Sequence, residues 1–336
     1  MIILQQMLVL FLVMLAGFFA EKKGVLDEEA CKKVSWIVVN IANPSMILAS
    51  VSGDSRIQPE ELAVTVLVAL AIFACLMGLA AVLPRLLGVD RSQRGVYRVM
   101  TVFSNIGFMG FPLLSALYGK GSLLYAALFV LIYNVLIYTY GILCLDQDSA
   151  ERRKARMKMQ TGGQDYAPDP RDAESRGGFL DSIKKIINVG VLSAVGALIL
   201  YFGNIRLPDI FTQAFDMFSD LTAPLSMMVI GASFGQMPFR ELVTDVRLLL
   251  FSGIKLLLIP IGSMWVLSRF IDNPILLGVC LVVLATPVGS MSAMLAKQYD
   301  CDSELASRGV AVTTLLSVAA IPAVSAVCRL MGINIM

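Results

Sequence analysis

Ten apolar segments, each about 20 residues long, are the feature that most limits how this chain can fold. A helix of that length matches the hydrocarbon thickness of a bilayer, whereas a soluble domain has no interior that could bury ten of them. Charged residues make up only 15% of the chain. The sequence therefore predicts an all-α polytopic membrane protein with ten transmembrane helices. The predicted segments are Ile2–Ala20, Val34–Val51, Leu62–Leu83, Tyr97–Leu117, Leu123–Leu143, Ile186–Phe202, Ile210–Phe234, Leu248–Phe270, Ile275–Ala296 and Gly309–Leu330.

Basic residues predict the orientation of these helices, because cytoplasmic connections are enriched in lysine and arginine. Of the 27 basic residues, 21 fall in connections on one side and five on the other, while Lys255 lies inside a segment. We therefore expect a multi-pass protein of the cytoplasmic membrane, with both termini outside. The first segment is expected to be retained as a helix. Lys22 and Lys23 follow it, whereas the basic residues of a signal peptide precede its apolar run.

The one long polar connection, residues 146–182, divides the apolar segments into five and five. Its mixed charges, glycines and prolines predict a cytoplasmic linker with a short basic helix near Ala150–Met159. Contact with anionic lipids or a regulatory role is the alternative to a simple linker. Residues 1–145 and 183–336 would then be two five-helix repeats.

Prolines in corresponding positions support this repeat. Pro44 and Pro224 lie in the second and seventh segments, and Pro112 and Pro287 lie in the fourth and ninth. Because each half has five spans, the second half must enter the membrane from the opposite side. The pattern predicts an inverted repeat with interrupted helices in matching places, an arrangement typical of transporters.

The fourth segment contains Thr101–Leu117, which reads TVFSNIGFMGFPLLSAL. Gly107, Gly110 and Pro112 disfavour a regular helix, so we expect a break near Gly107–Phe111. Freed backbone groups in a membrane are tolerated only inside protein or beside a watery cavity, which makes this stretch a candidate binding site. A proline kink that serves packing alone is the alternative.

The two breaks predict an anion site. Half-helices that begin near Pro112 and Pro287 would direct free N–H groups and a positive dipole end to the middle of the membrane. Neutral polar side chains near these breaks could orient a carboxylate; they are Asn105, Thr286, Ser290 and Ser292.

Charged and amide residues inside other segments are further candidates. Lys255 could offset the charge of an anion or replace a coupling cation, or it could extend to the cytoplasmic rim. Asp220 could bind a proton or a cation, or it could be a solvated residue near the outer headgroups, which is how Asp216 is interpreted. Asn40 and Asn43 flank the predicted interruption of the second segment, where they would either satisfy the backbone or line the cavity.

The fifth segment places Tyr133, Asn134 and Tyr138 in mid-span, where they serve either interhelical hydrogen bonding or the cavity. The six cysteines include no CxxC pair and the chain has no histidine, so neither a metal site nor a cofactor is indicated. With no acid pair or activated nucleophile evident either, we do not expect an enzyme.

Four motifs carry a resemblance to a known family: SNIGFMGFPLL, TAPLSMMVIGASF, IKLLLIP and the long stretch that begins ATPVGSMSAMLAK. Together they resemble the auxin efflux carrier family in its short bacterial form, over essentially the whole chain. The resemblance implies two inverted five-helix repeats whose broken helices 4 and 9 cross at the substrate site. It also implies a scaffold of helices 1, 2, 6 and 7, a mobile transport domain of helices 3–5 and 8–10, and a homodimer.

Carried onto this sequence, the resemblance assigns the crossing of helices 4 and 9 to five residues, with two more from the adjacent helix. These are Asn105, Gly110, Pro112, Thr286 and Pro287, with Asn134 and Tyr138. Members of the family are similar to plant auxin exporters and to permeases proposed for malate or malonate. We therefore expect a secondary transporter of small organic anions with elevator-type alternating access, with or without proton or sodium coupling. A channel or a solute-sensing receptor on the same scaffold is the alternative.

Overall fold

The computed structural model describes residues 2–51, 59–160, 189–205, 207–235 and 245–335. Within these ranges the chain is helical except for short connections and one isolated backbone bridge. Most of the predicted linker, from residue 161 onward, lies outside the described residues. The short basic helix predicted near Ala150–Met159 is confirmed as the continuation of a helix that ends at Gln160.

The described residues contain sixteen α-helices, and each predicted segment overlaps at least one of them. In chain order they are α1 (Ile2–Lys22), α2 (Glu28–Ile37), α3 (Asn43–Ala49), α4 (Pro59–Leu86), α5 (Arg94–Val102), α6 (Phe111–Tyr118), α7 (Ser122–Leu136), α8 (Ile142–Gln160), α9 (Val189–Phe202), α10 (Asp209–Asp220), α11 (Thr222–Gly235), α12 (Val246–Gly253), α13 (Ile259–Leu267), α14 (Pro274–Ala285), α15 (Met291–Gln298) and α16 (Ser303–Leu330).

Six continuous helices of the described residues are long and apolar enough to cross a membrane. They are Ile3–Lys22, Glu60–Leu86, Ser122–Arg153, Asp209–Gly235, Val246–Leu267 and Ser303–Leu330. Three shorter apolar helices, Ile106–Tyr118, Val189–Phe202 and Pro274–Ala285, fall within the fourth, sixth and ninth predicted segments. The architecture is that of an all-helical protein with several membrane-spanning helices.

Wide π-helical turns precede three of the prolines. The turns Val38–Ala42, Ile106–Gly110 and Ile254–Leu258 come two residues before Pro44, Pro112 and Pro260. A proline removes one backbone donor and clashes with the carbonyl four residues earlier, and a wider turn moves that carbonyl away. The helical backbone therefore continues past each of these prolines instead of ending there.

The predicted interruptions of the second and seventh segments are consequently smaller than expected. Helices α2 and α3 are joined by a π turn that contains Asn40. Helices α10 and α11 are separated by Leu221 alone, which keeps helical dihedral angles. Pro224 is the third residue of α11, where its missing N–H is one that the helix start leaves unpaired in any case.

Close helix packing depends on two glycines that face the opposing backbone. A Cβ atom on Gly17 of α1 would lie 2.1 Å from the carbonyl oxygen of Met228, and one on Gly231 of α11 would lie 1.8 Å from that of Met14. Small residues of this kind let membrane helices approach closely. The close packing of α1 with α11 joins the first half of the chain to the second.

Helix α14 is enclosed by other helices. Every residue from Leu276 to Ala285 is buried, which explains why its sequence is apolar on all sides. It ends in the interior of the protein, and that end positions the site described next.

Candidate functional site

The first chain break lies at Phe103–Asn105, just after α5. Phe103 is extended, with φ −101° and ψ 98°, and the chain becomes helical again at Ile106. The break predicted near Gly107–Phe111 is therefore misplaced by a few residues, because those residues form the π turn and the start of α6. Pro112 is tolerated there as the second residue of α6.

The second break follows α14, beside the predicted Pro287. Thr286 is extended with ψ 148°, and helix α15 begins only at Met291. Thr286, Pro287 and Val288 are all buried, while Ser290 is half-buried. Both breaks are thus short extended segments inside the protein.

The two extended segments cross and pair with each other. The N–H of Asn105 donates to the carbonyl of Pro287 at 2.7 Å, and the N–H of Gly289 donates to the carbonyl of Phe103 at 2.9 Å. Ser104 and Val288 form the antiparallel bridge between them. We call residues 103–105 and 286–289 the crossing. The N–H groups of Phe103, Asn105, Thr286 and Gly289 all donate to backbone carbonyls, which is how a break at membrane depth is tolerated.

Two neighbouring helices, α16 and α7, contact the crossing. The hydroxyl of Thr313 in α16 accepts a hydrogen bond from the N–H of Val288 at 3.1 Å. From α7, the ring of Tyr133 packs edge-on against Phe103 with centroids 5.2 Å apart. A Cβ atom on Gly289 would lie 3.1 Å from the Ser104 carbonyl oxygen and 3.2 Å from the Tyr133 hydroxyl, so only glycine fits there without movement.

Lys255 reaches the crossing from the π turn before α13. Its Nζ donates to the carbonyl of Thr101 at 2.9 Å and to the hydroxyl of Ser104 at 2.8 Å. The side chain is fully buried, so the alternative in which it extends to the cytoplasmic rim is wrong. Among the described residues no carboxylate forms an ion pair with it. Its partner is instead the C-terminal end of α5, where the helix dipole is negative.

Three buried polar atoms beside the two breaks have no hydrogen-bond partner among the described residues. They are Nδ2 of Asn105, Oδ1 of Asn43 and Oγ of Ser292. Burial without a partner costs about 1–3 kcal/mol for each group, so such atoms are candidates for contact with a ligand. Oδ1 of Asn105 is already used, since it accepts from the N–H of Phe108 at 3.2 Å.

Asn43 approaches the crossing from α3. A Cβ atom on Gly107 would lie 3.3 Å from Nδ2 of Asn43, which places this amide against the turn that follows Asn105. Asn40, by contrast, donates to the carbonyl of Trp36 in its own helix at 2.9 Å. Of these two predicted residues, therefore, only Asn43 lies against the first break.

The other predicted site residues are described by hydrogen bonds to nearby carbonyls or by their burial. Nδ2 of Asn134 donates to the carbonyl of Val130 at 2.8 Å, and Tyr138 is half-buried in a π turn. Gly110 and Pro112 are buried in the helix after the first break. The hydroxyl of Thr286 donates to the carbonyl of Val283 at 3.2 Å.

Both aspartates of α10 are accessible to solvent, which fits the interpretation of solvated residues. Asp220 is exposed at the end of that helix. Asp216, which was interpreted as a solvated residue, forms an ion pair with Lys120 from the connection between α6 and α7. Neither aspartate has a hydrogen bond to the crossing among the described residues.

Sequence reasoning missed Thr101, Ser104 and Thr313 as site residues. Ser104 stands directly before Asn105 in the motif SNIG, and Thr101 lies two residues before Phe103, so their positions could have indicated them. Thr313 resembles an ordinary membrane-helix threonine, and only the fold brings it to the second break.

Comparison with known proteins decides the family. A family model described as "Membrane transport protein" matches residues 2–325. The chain belongs to the auxin efflux carrier family of membrane transport proteins. Membership together with the apolar helices makes it a multi-pass membrane protein.

Two archaeal relatives of this carrier are both named uncharacterized transporters. One, from Methanothermobacter thermautotrophicus, is 26% identical over 316 residues, or 94% of each chain. The other, from Methanocaldococcus jannaschii, is 24% identical over 330 residues, covering 94% of this chain and 96% of the relative.

Proposed function

We propose that this protein is a secondary transporter of small organic anions, such as malate, malonate or auxin-like acids. The observation that carries the proposal is the buried amine of Lys255 at the crossing of two broken helices. Intramembrane charges are costly and usually mark a functional site.

Electrostatics favour an anion at this place. The C-terminal ends of α5 and α14 meet the N-terminal ends of the helices that begin at Ile106 and Met291. Each end carries a partial charge of roughly 0.5, negative at a C-terminus and positive at an N-terminus, so the four ends nearly cancel. The amine of Lys255, when protonated, then gives the crossing a net positive charge.

Unpaired amide groups could provide orientation. Nδ2 of Asn105 is a donor without a partner, which suits a carboxylate oxygen. The unpaired atom of Asn43 is Oδ1, an acceptor, which suits a hydroxyl or a protonated carboxyl group of the substrate. Asn134, Tyr138 and Ser290 would line the path to the crossing. The proposal gives charge compensation to Lys255 and assigns Asp220 no contact with the substrate.

The proposed mechanism is elevator-type alternating access in a homodimer. Helices α1–α3 and α9–α11, which correspond to predicted helices 1, 2, 6 and 7, would form the scaffold. The other helices would form the transport domain, which contains both halves of the crossing. In this arrangement α3 packs on α9 and α10, while α5 packs on α4 and α8, so each group has its own internal contacts. The ten-helix inverted repeat belongs to the same proposal.

Reconstitution into liposomes tests this function. Purified protein is expected to give saturable uptake of at least one labelled dicarboxylate or aromatic carboxylate. Lys255→Met should reduce that uptake, whereas Lys297→Met, at an exposed lysine on α15, should not. Flux of a neutral or cationic solute without flux of any anion would contradict the proposal.

A further inference from the structure

A crevice of about 530 Å³ opens at the end of the molecule predicted to lie outside, away from the crossing. Its walls are the end of α13, the connection to α14 and the C-terminal segment 331–334. We call it the outer crevice. The C-terminal segment is held in place because Ile333 and Ile335 are buried and the Tyr118 hydroxyl donates to the carbonyl of Ile335 at 2.7 Å. Gly332, with φ 76°, makes the turn that folds this segment back.

Two opposite charges line the outer crevice, Arg269 and Asp272. Neither forms an ion pair with the other or with any other residue that the structure describes. The guanidinium of Arg269 lies over the ring of Trp265, 5.4 Å from its centroid, which restricts where the charge can be. A cavity that holds an unpaired cation and an unpaired anion is complementary to a ligand that carries both charges.

Exposed apolar side chains lie in the lining of the crevice or next to lining residues in the chain. Trp265 is 51% exposed, Phe270 82% and Leu330 88%. They belong to the ends of helices apolar enough to span the membrane and to the adjacent connection. Aromatic residues at such helix ends usually lie at the level of the lipid headgroups. The surroundings thus suit a ligand with long apolar chains next to its charged group.

We propose that the outer crevice binds the headgroup of a zwitterionic phospholipid. Arg269 binds the phosphate, Asp272 binds the ammonium group, and the acyl chains extend along Phe270 and Leu330. Arginine suits the phosphate because its guanidinium donates several hydrogen bonds in one plane. The site does not depend on the transported substrate.

Native mass spectrometry of the delipidated full-length protein tests the proposal. Phosphatidylethanolamine is expected to bind with a stoichiometry of one and more tightly than phosphatidylglycerol of the same acyl composition. Arg269→Gln should weaken binding of phosphatidylethanolamine about tenfold, which corresponds to about 1.4 kcal/mol. Asp272→Asn should weaken phosphatidylethanolamine by a similar factor and leave phosphatidylglycerol unchanged.

Arg91→Gln is the matched control, because Arg91 is an exposed arginine at the opposite, predicted cytoplasmic end. It should leave phosphatidylethanolamine binding unchanged. Both crevice side chains are exposed, so their variants are expected to fold. Equal binding of phosphatidylethanolamine by the wild type and both crevice variants would overturn the proposal, as would equal binding of the two lipids by the wild type.

Glycerophosphoethanolamine, which lacks acyl chains, should not bind at the same concentration. If it binds as tightly as the lipid, the crevice recognises a soluble phosphate ester and the lipid assignment is wrong.

Discussion

Thr313→Val should destabilise the crossing more than the same change at the next residue. Thr313 and Thr314 are both buried, and the hydroxyl of each donates to a carbonyl of its own helix, at 2.7 Å and 2.6 Å. Only Thr313 also accepts the N–H of Val288, at 3.1 Å. Either substitution loses one intrahelical hydrogen bond, worth about 0.5–1.5 kcal/mol. Thr313→Val in addition leaves a buried N–H unpaired, at about 1–3 kcal/mol.

The difference between the two variants isolates the bond to the crossing. We expect Thr313→Val to lower the free energy of unfolding by about 1–3 kcal/mol more than Thr314→Val does. Denaturant titration of both proteins in the same detergent, followed by circular dichroism, measures it. Thr313→Ser keeps the acceptor and should regain most of the loss. Equal stability of the two valine variants would refute the assignment of Thr313 as the partner of the second break.

Two further predictions concern other contacts. Gly289→Ala should lower both stability and transport, because its Cβ would lie 3.1 Å from the Ser104 carbonyl oxygen, whereas Gly262→Ala has open space around it. Thermal unfolding and uptake by the two variants measure this, and equal behaviour would contradict the packing described for the crossing. Lys120 and Asp216 join the proposed transport domain to the proposed scaffold. In a Cys75→Ser background, linking Lys120→Cys to Asp216→Cys with a short bismaleimide should stop uptake if the two groups move past each other. Undiminished uptake by the linked protein would argue against the elevator motion.

Helix positions were predictable from the sequence because apolar length is a strong signal in a membrane protein. Nine of the ten predicted segments overlap apolar helices of the described residues, and the second overlaps α2, a π turn and α3. The second break was also located correctly, since Thr286 and Pro287 interrupt a helix whose other residues are uniformly apolar. A proline after an extended residue leaves little alternative to a break.

The first break was misplaced because glycine and proline were taken as the break itself. Gly107, Gly110 and Pro112 instead lie in the π turn and in the first turn of α6, where the missing donor is tolerated. The helix actually stops at Phe103, and no residue type there disfavours a helix strongly. What holds Phe103–Asn105 extended is pairing with residues 287–289, which are remote in sequence.

The partners of the crossing could not be predicted for the same reason. Lys255 bonds to Thr101 and Ser104 across more than 150 residues of sequence, and Thr313 reaches Val288 from a different helix. Sequence reasoning identified Lys255 as a functional candidate from its charge alone. Its contacts, and the exposure of Asp220, depend on how the helices pack.

Carboxylate binding to purified protein tests the central claim most directly. Dicarboxylates and aromatic carboxylates are titrated while thermal stability is followed, since a ligand that binds the native state raises the unfolding temperature. We predict saturable stabilisation by at least one carboxylate, with an affinity at least tenfold weaker in Lys255→Met and unchanged in Lys297→Met. Carboxylate affinity that is the same in the wild type and in Lys255→Met would contradict the account of the crossing as an anion site.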